Sequence, residues 1–493
     1  MESSISITQQ LNVKGKMRLS NLPTEILDNI FSYLVRHFPY SGFPNTNSLF
    51  NCTLVCRRLH PIALRGLYSN LEVTLKSAKE SSLARLHNQP FINLVQRLKD
   101  NPLLARCALR VKINVQWSCK PFPREDVFRE HSELLRLLPS MEELVLYPKF
   151  PADYSKIDWK LPNTVRMNLG PYNPIYGETG VLGTEVLVNI CAVPSIRKLW
   201  VSEYDFNMRF GPQALCHIAN SNVTDLRFSE CSIDMDCVNH AVVGRTEPLL
   251  LLGFLLSKTN ELRCLWLELS GLGNRRTDLD LNFVLGHLVS QVATLEELFL
   301  AANEGFQFTS GTRHLALPSD VCVLSAFTQL KRLALPFTVL HDCNISNVIP
   351  SQIEDLQLQH ATMELKAPDR KGGIWSVPHC TSHFAAIVLF VRDYDLKERW
   401  PRFKRLVWWH CLENDSKPGG THFSSEAVEE FEELRKELMA KQVRFEWCHP
   451  RQFKHTIFGE LPYGRAPYGL VEPEDQSDDR VKEKLQRLSN MGY

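Results

Sequence analysis

The sequence predicts an α/β protein: a small N-terminal helical module, then a long run of strand-plus-helix units stacked side by side. Three observations predict it. The stretch from Leu19 to Leu71 holds three short apolar-patterned segments, with more apolar surface than so few helices bury among themselves. Downstream, a six-residue pattern with apolar residues at its first and fourth positions returns eight times. The segments between its copies read mostly as helices, the alternation that builds parallel sheets.

In the helical module, Pro23 and Glu25 suit the opening turn of a helix. There a missing N–H costs nothing and a negative charge meets the positive end of the helix dipole. Leu22, Ile26, Ile30 and Leu34 recur every four residues and line one side, with Leu27, Phe31 and Val35 beside them. So wide an arc can face the module's interior and still leave a stripe for a partner helix. A second helix is expected over 48–59, with Leu49, Cys52, Cys56 and Leu59 on one side and Leu54 and Val55 flanking. Pro61 then opens a third, holding Ile62, Ala63, Leu64 and Leu67.

LPTEIL…IFSYL followed by TLVCRRLHPIALRGLY resembles the F-box, the helical motif by which substrate receptors of cullin–RING ubiquitin ligases dock onto a small Skp-type adaptor. The matching positions are Leu22, Pro23, Glu25, Ile26, Ile30, Phe31, Leu34, Leu54, Val55, Cys56, Arg57 and Leu67. The loop over 36–47 departs from the pattern, being longer than the tightest F-boxes carry. The resemblance implies an adaptor-binding set of Leu22, Pro23, Ile26, Ile30, Phe31, Leu34, Leu54, Val55 and Cys56. It also implies that ubiquitin transfer belongs to other subunits, so that the chain is a receptor and not an enzyme. The alternative is that the wide apolar arc is ordinary core, packed only against its own chain.

At 493 residues the chain has room for several domains. Hydrophobic residues at 44% and charged residues at 23% are an ordinary globular balance. A net charge of +1 provides no long-range field to draw nucleic acid or an acidic membrane. The longest apolar runs, 249–256 and 384–391, are too short to span a bilayer. The opening MESSISITQQLNVKGK has no apolar signal core, so the expected location is the cytoplasm or nucleus. Fourteen cysteines without a CxxC pair read as reduced thiols. The expected organisation is a mobile leader over 1–17, the F-box over 18–70, a repeat domain over 71–457 and a mobile Pro- and Gly-rich tail over 458–493. That tail ends in a short amphipathic helix over 481–488.

Leu71 to Leu75 alternates as a strand does, and so do Leu109, Val111, Ile113 and Val115. Then come MEELVL from Met141, IRKLWV from Ile196, VTDLRF from Val223 and LRCLWL from Leu262. LEELFL follows from Leu295, LKRLAL from Leu330, IEDLQL from Ile353 and FKRLVW from Phe403, and LPNTVRMNL is a degenerate member around Val165. Helices are expected over 83–98, 124–138, 184–193, 212–220, 248–259, 280–292 and 320–327. A strand-plus-helix unit with LxxLxL is the signature of a leucine-rich repeat, which buries its leucines only by stacking on its neighbours. The spacing is uneven, so an irregular solenoid with helices on its convex side is expected. The whole then resembles fungal F-box receptors carrying leucine-rich repeats. The alternative is a conventional α/β domain with crossover helices, although no glycine-rich βα turn supports a nucleotide fold. At the end, 424–442 reads as a helix with Glu426, Glu429 and Glu430 early and Arg435, Lys436 and Lys441 late, between strands over 406–409 and 443–447.

For catalysis there is no GxxxxGK[ST], HExxH or GxSxG, and no cysteine stands where neighbours suggest a lowered pKa. His379, Cys380 and His383 form the densest metal-like cluster, but nothing nearby completes a ligand set, so neither metal nor cofactor is expected. The fifth position of each repeat offers more. Val145, Trp200, Arg227, Trp266, Phe299, Ala334, Gln357 and Val407 would form one row across a concave face. Trp200, Arg227, Trp266, Phe299 and Gln357 are the substrate-binding candidates, since Trp and Arg dominate interface energetics. The alternative is that helices or loops cover this face and the aromatics are core. The combined reading is the substrate-recognition subunit of an SCF-type cullin–RING E3 ligase. It would bind a Skp-type adaptor and a protein target, with no nucleic acid and no membrane as partner. The rival is a leucine-rich-repeat scaffold with no ligase role.

Overall fold

The computed structural model describes residues 22–36, 46–77, 89–117, 132–147, 161–168, 187–188, 190–202, 204, 206, 220–233, 248–271, 277–302, 306–309, 321–336, 348–360, 391–392, 396–410 and 425–448. The expected leader, the tail with its 481–488 helix, the His379, Cys380 and His383 cluster and nearly all of the 212–220 helix lie outside them.

Three helices come first: α1 (Thr24–Arg36), α2 (Thr46–Val55) and α3 (Leu59–Ser69). The break between α2 and α3 falls earlier than Pro61 suggests. Pro61 occupies the first turn of α3, where its missing N–H is not needed. Leu27, Phe31, Leu49, Leu59, Ile62 and Ala63 form a small core of their own, separate from the large one that follows.

No linker separates the helices from the sheet: α3 ends at Ser69 and β1 (Asn70–Ser77) begins with the next residue. Then come α4 (Gln89–Asp100), α5 (Pro102–Cys107), β2 (Arg110–Trp117), β3 (Glu143–Tyr147), β4 (Thr164–Asn168), β5 (Lys198–Ser202) and β6 (Asp225–Ile233). They are followed by α6 (Pro248–Lys258), β7 (Cys264–Gly271), β8 (Thr277–Asp280), α7 (Leu281–His287), β9 (Glu297–Ala302), β10 (Phe306–Thr309) and β11 (Arg332–Pro336). The last described elements are β12 (Asp355–His360), α8 (Leu396–Arg399), β13 (Arg405–His410), α9 (Ser425–Ala440) and β14 (Arg444–Cys448).

Twelve of these strands form one open sheet in chain order, β1 to β7, then β9, β11, β12, β13 and β14. Every described pairing in it is parallel. A doubly wound domain reverses its strand order at a switch point, and no reversal occurs among these strands. The fourth positions of the pattern align in register: Leu144, Val165, Leu199, Leu226, Leu265, Leu298, Leu333, Leu356 and Leu406, all buried. The sixth positions lie two residues on and are buried on the same side. A backbone device repeats at the start of β3, β5, β6, β7, β9, β11, β12 and β13. One carbonyl of the preceding unit accepts two successive N–H groups, as Arg197 and Lys198 donate to Asn163, Arg263 and Cys264 to Thr224, and Lys331 and Arg332 to Glu296, at 2.8–3.1 Å. It keeps the register where the helices arrive.

Several local features were not legible in the pattern. The segment expected as a helix over 320–327 is a 3-10 turn, Val321–Ala326, and β8 pairs with β10 in a separate two-stranded parallel sheet. Helix α9 ends in a closed turn: Gln442 N donates to Met439 O and Val443 N to Leu438 O, with Gln442 at φ 57°. Helices α6 and α7 approach so closely that a Cβ on Gly253 would lie 2.5 Å from His287 Nε2.

Candidate functional site

On α1, the inward side carries Leu27 and Phe31 and is sealed. Phe31 was expected at a partner surface. It lies instead in the helical core, because it shares the Leu27 side of α1 that α2 and α3 close over. Ile26, one residue round from Leu27, stays 45% exposed, and Pro23 is exposed beside it. Leu22, Ile30 and Cys56 are half-buried, and the Leu34 side chain lies outside the described residues. Helix α2 divides in the same way. Leu49 points into the core, while Phe50, Leu54 and Val55 are 56%, 70% and 67% exposed. Phe50 was missed from the sequence, although its four-residue spacing to Leu54 puts the two on one side of α2. Exposed side chains of this size gathered on one small module mark an interaction surface.

The two halves of that surface are tied together. Arg58 Nη2, in the turn after α2, donates to Leu22 O at 2.7 Å, just ahead of α1. His60 Nδ1 and Thr53 O lie 2.9 Å apart across the same turn. Residues 19–73 match the F-box-like family model. This stretch is an F-box-like domain. No curated protein matches the chain. F-box domains bind Skp-type adaptors, and F-box proteins are typically non-catalytic substrate receptors.

Beyond the F-box-like domain, the fifth positions do form one row. In register they run Glu72, Lys112, Val145, Arg166, Trp200, Arg227, Trp266, Phe299, Ala334, Gln357, Val407 and Glu446, one from each strand of the sheet. The strand spacing stacks flat groups face to face. The Arg166 guanidinium lies 3.8 Å from the Trp200 ring centre and that of Arg227 lies 4.5 Å from it. Trp266 stacks on Phe299 with centroids 3.5 Å apart and planes 11° apart, and Arg227 is 5.9 Å from the Trp266 ring.

That stacking corrects one expectation. Trp200 and Phe299 are each only 8% exposed, so they offer little free surface. Arg166 comes from the degenerate β4 unit, which the sequence count left out of the row, and it shields Trp200. Trp266, Arg227 and Gln357 are half-buried. Two residues earlier on the same face, charges alternate and neutralise one another. Arg227 grips Asp225 with bonds of 2.8 and 2.9 Å, Glu143 faces Arg110 and Arg166, Glu297 pairs with Arg332 at 2.9 Å, and Asp355 pairs with Arg405 at 3.0 Å. Burial works to lower the Arg227 pKa, but the Asp225 hydrogen bonds and the negative groups around the guanidinium together outweigh it, and the net shift is upward. The Trp200 indole Nε1, also buried, has no hydrogen-bond partner among the described residues.

The chemistry of the remaining groups is quiet. Burial pushes the Cys191 thiol up to about 12 and that of Cys264 well above its ordinary value, so neither ionises to a nucleophile near neutral pH. Among the described residues, no group of three His, Cys, Asp or Glu side chains is placed to hold a metal ion, and no helix is long and apolar enough to cross a membrane.

Proposed function

We propose that this chain is the substrate-recognition subunit of an SCF-type cullin–RING ubiquitin ligase. The F-box-like domain docks a Skp-type adaptor through Pro23, Ile26, Phe50, Leu54 and Val55, with Leu22, Ile30 and Cys56 at the margin and Leu34 further along α1. The observation that carries this reading is the division of one small module into a sealed core and an exposed apolar surface that nothing in the described chain covers. The sheet domain is an irregular leucine-rich repeat that holds a protein target. Its support is the chain-order parallel sheet and the two buried leucine rows. The target-facing groups are Trp266, Arg227 and Gln357, which stay half-buried on that face.

The mechanism is positional. Leu67 packs on the helical core and Tyr68 on the sheet core, so α3 belongs to both. A target on the sheet is thereby held at a set offset from the adaptor, which raises the effective concentration of its lysines near a ubiquitin-charged enzyme. Such work belongs in the cytoplasm or nucleus. The test is co-purification of a Skp-type adaptor with the chain and with Leu22→Ala/Pro23→Ala. The double variant loses the adaptor while its sheet domain still unfolds cooperatively. Equal recovery of adaptor from both refutes the ligase reading and leaves a repeat scaffold.

A further inference from the structure

The proposed docking surface is discontinuous. Pro23 and Ile26 lie at the start of α1, and Phe50, Leu54 and Val55 on the last turns of α2, with residues 37–45 between the two helices. Both halves must be held at a fixed offset for one partner to cover them together. The Leu22 carbonyl stands just outside the α1 ladder, whose first acceptor is Pro23 O, bonded by Leu27 N at 3.1 Å. Arg58 takes that carbonyl at 2.7 Å from the turn that directly follows Val55. A charged donor holds a carbonyl more firmly than a neutral one. Arg58 is itself exposed and adds little to the core beneath.

We infer that Arg58 is a positioning residue for adaptor docking: its bond to the Leu22 carbonyl sets the Pro23–Ile26 corner against the Phe50–Val55 half of the surface. The inference rests on the proposed docking role. It separates Arg58 from its neighbour Arg57, which is equally exposed in the same turn but makes no such bond among the described residues.

The experiment measures binding of a purified Skp-type adaptor to the full chain and to Arg58→Ala, Arg57→Ala, Pro23→Ala and Arg58→Ala/Pro23→Ala, with a melting curve for each. Arg58→Ala is expected to weaken binding about tenfold at an unchanged melting temperature, and Arg57→Ala less than about twofold. Once Pro23→Ala has loosened the corner, Arg58→Ala should add less than about a further twofold, because the two act through one element. Equal losses from Arg57→Ala and Arg58→Ala, fully multiplicative losses in the double variant, or a melting temperature that falls with affinity would each overturn the inference. An unmodified chain that fails to bind the adaptor refutes the docking role itself and takes this inference with it. A chain that binds while Arg58→Ala binds equally well refutes only the inference.

Discussion

Truncating Leu54 and Val55 together should strip adaptor affinity while leaving the protein folded. The free chain leaves Leu54 70% and Val55 67% exposed, and that fraction is what a partner can remove from water. Leu→Ala deletes three carbons and Val→Ala two, each worth about 0.8 kcal/mol when fully buried. Scaled by exposure, the losses are about 1.7 and about 1.1 kcal/mol, together about 2.8 kcal/mol or about 100-fold in Kd. Exposed side chains contribute little to the fold, so stability should change by less than about 0.5 kcal/mol. The assay is titration calorimetry of Leu54→Ala/Val55→Ala against a Skp-type adaptor, with a melting curve beside it. Phe31→Ala is the contrast, because Phe31 is core: it should cost about 3–5 kcal/mol of stability in the helical domain. An affinity loss under about threefold for the Leu54/Val55 pair, or a melting temperature that falls as far as for Phe31→Ala, would refute the division into core and docking surface.

Three further outcomes follow from the geometry. Arg227→Ala removes both bonds to Asp225 and the guanidinium over Trp200, and should cost about 2–3 kcal/mol in urea unfolding. Arg227→Lys should recover only part of this, because an ammonium neither forks nor stacks. Gln442 holds a left-handed backbone that glycine adopts without a Cβ penalty, so Gln442→Gly should raise the urea midpoint by about 0.5–1 kcal/mol in free energy at an unchanged slope. The Arg392 hydrogen bonds hold the Glu437 carboxyl below its ordinary 4.5. A depressed carboxyl contributes stability that is present above 4.5 and lost as pH falls through its folded value. Glu437→Gln should therefore flatten the acid side of the stability profile, by less than about 1 kcal/mol because both partners are more than a third exposed.

Much of the architecture was readable before any coordinates. Two-residue alternation around LRCLWL or LEELFL is a local property of extended backbone. It correctly put Leu265 and Leu267 on one face and Trp266 on the other, and it aligned the fifth positions into one row. The F-box-like stretch was legible through its residue-by-residue resemblance to a known motif, since the four-residue apolar spacing along α1 fits ordinary core equally well. The degenerate β4 unit was recognised around Val165 but its Arg166 was left out of the row, and the small β8–β10 sheet was not legible, because short strands with weak patterning take their state from the neighbour they pair with.

The sequence by itself determined which residues alternate, which recur, and hence which would share a helix side or a strand face, since backbone geometry alone sets those periods. Only the tertiary structure decided which of the shared faces stay open. Phe31 and Ile26 look equally apolar on one helix, yet α2 and α3 close over the first and leave the second in water. Trp200 looks like an exposed anchor until Arg166, thirty-four positions earlier, lies across its ring. Burial depends on which distant segments arrive, and no local period carries that information.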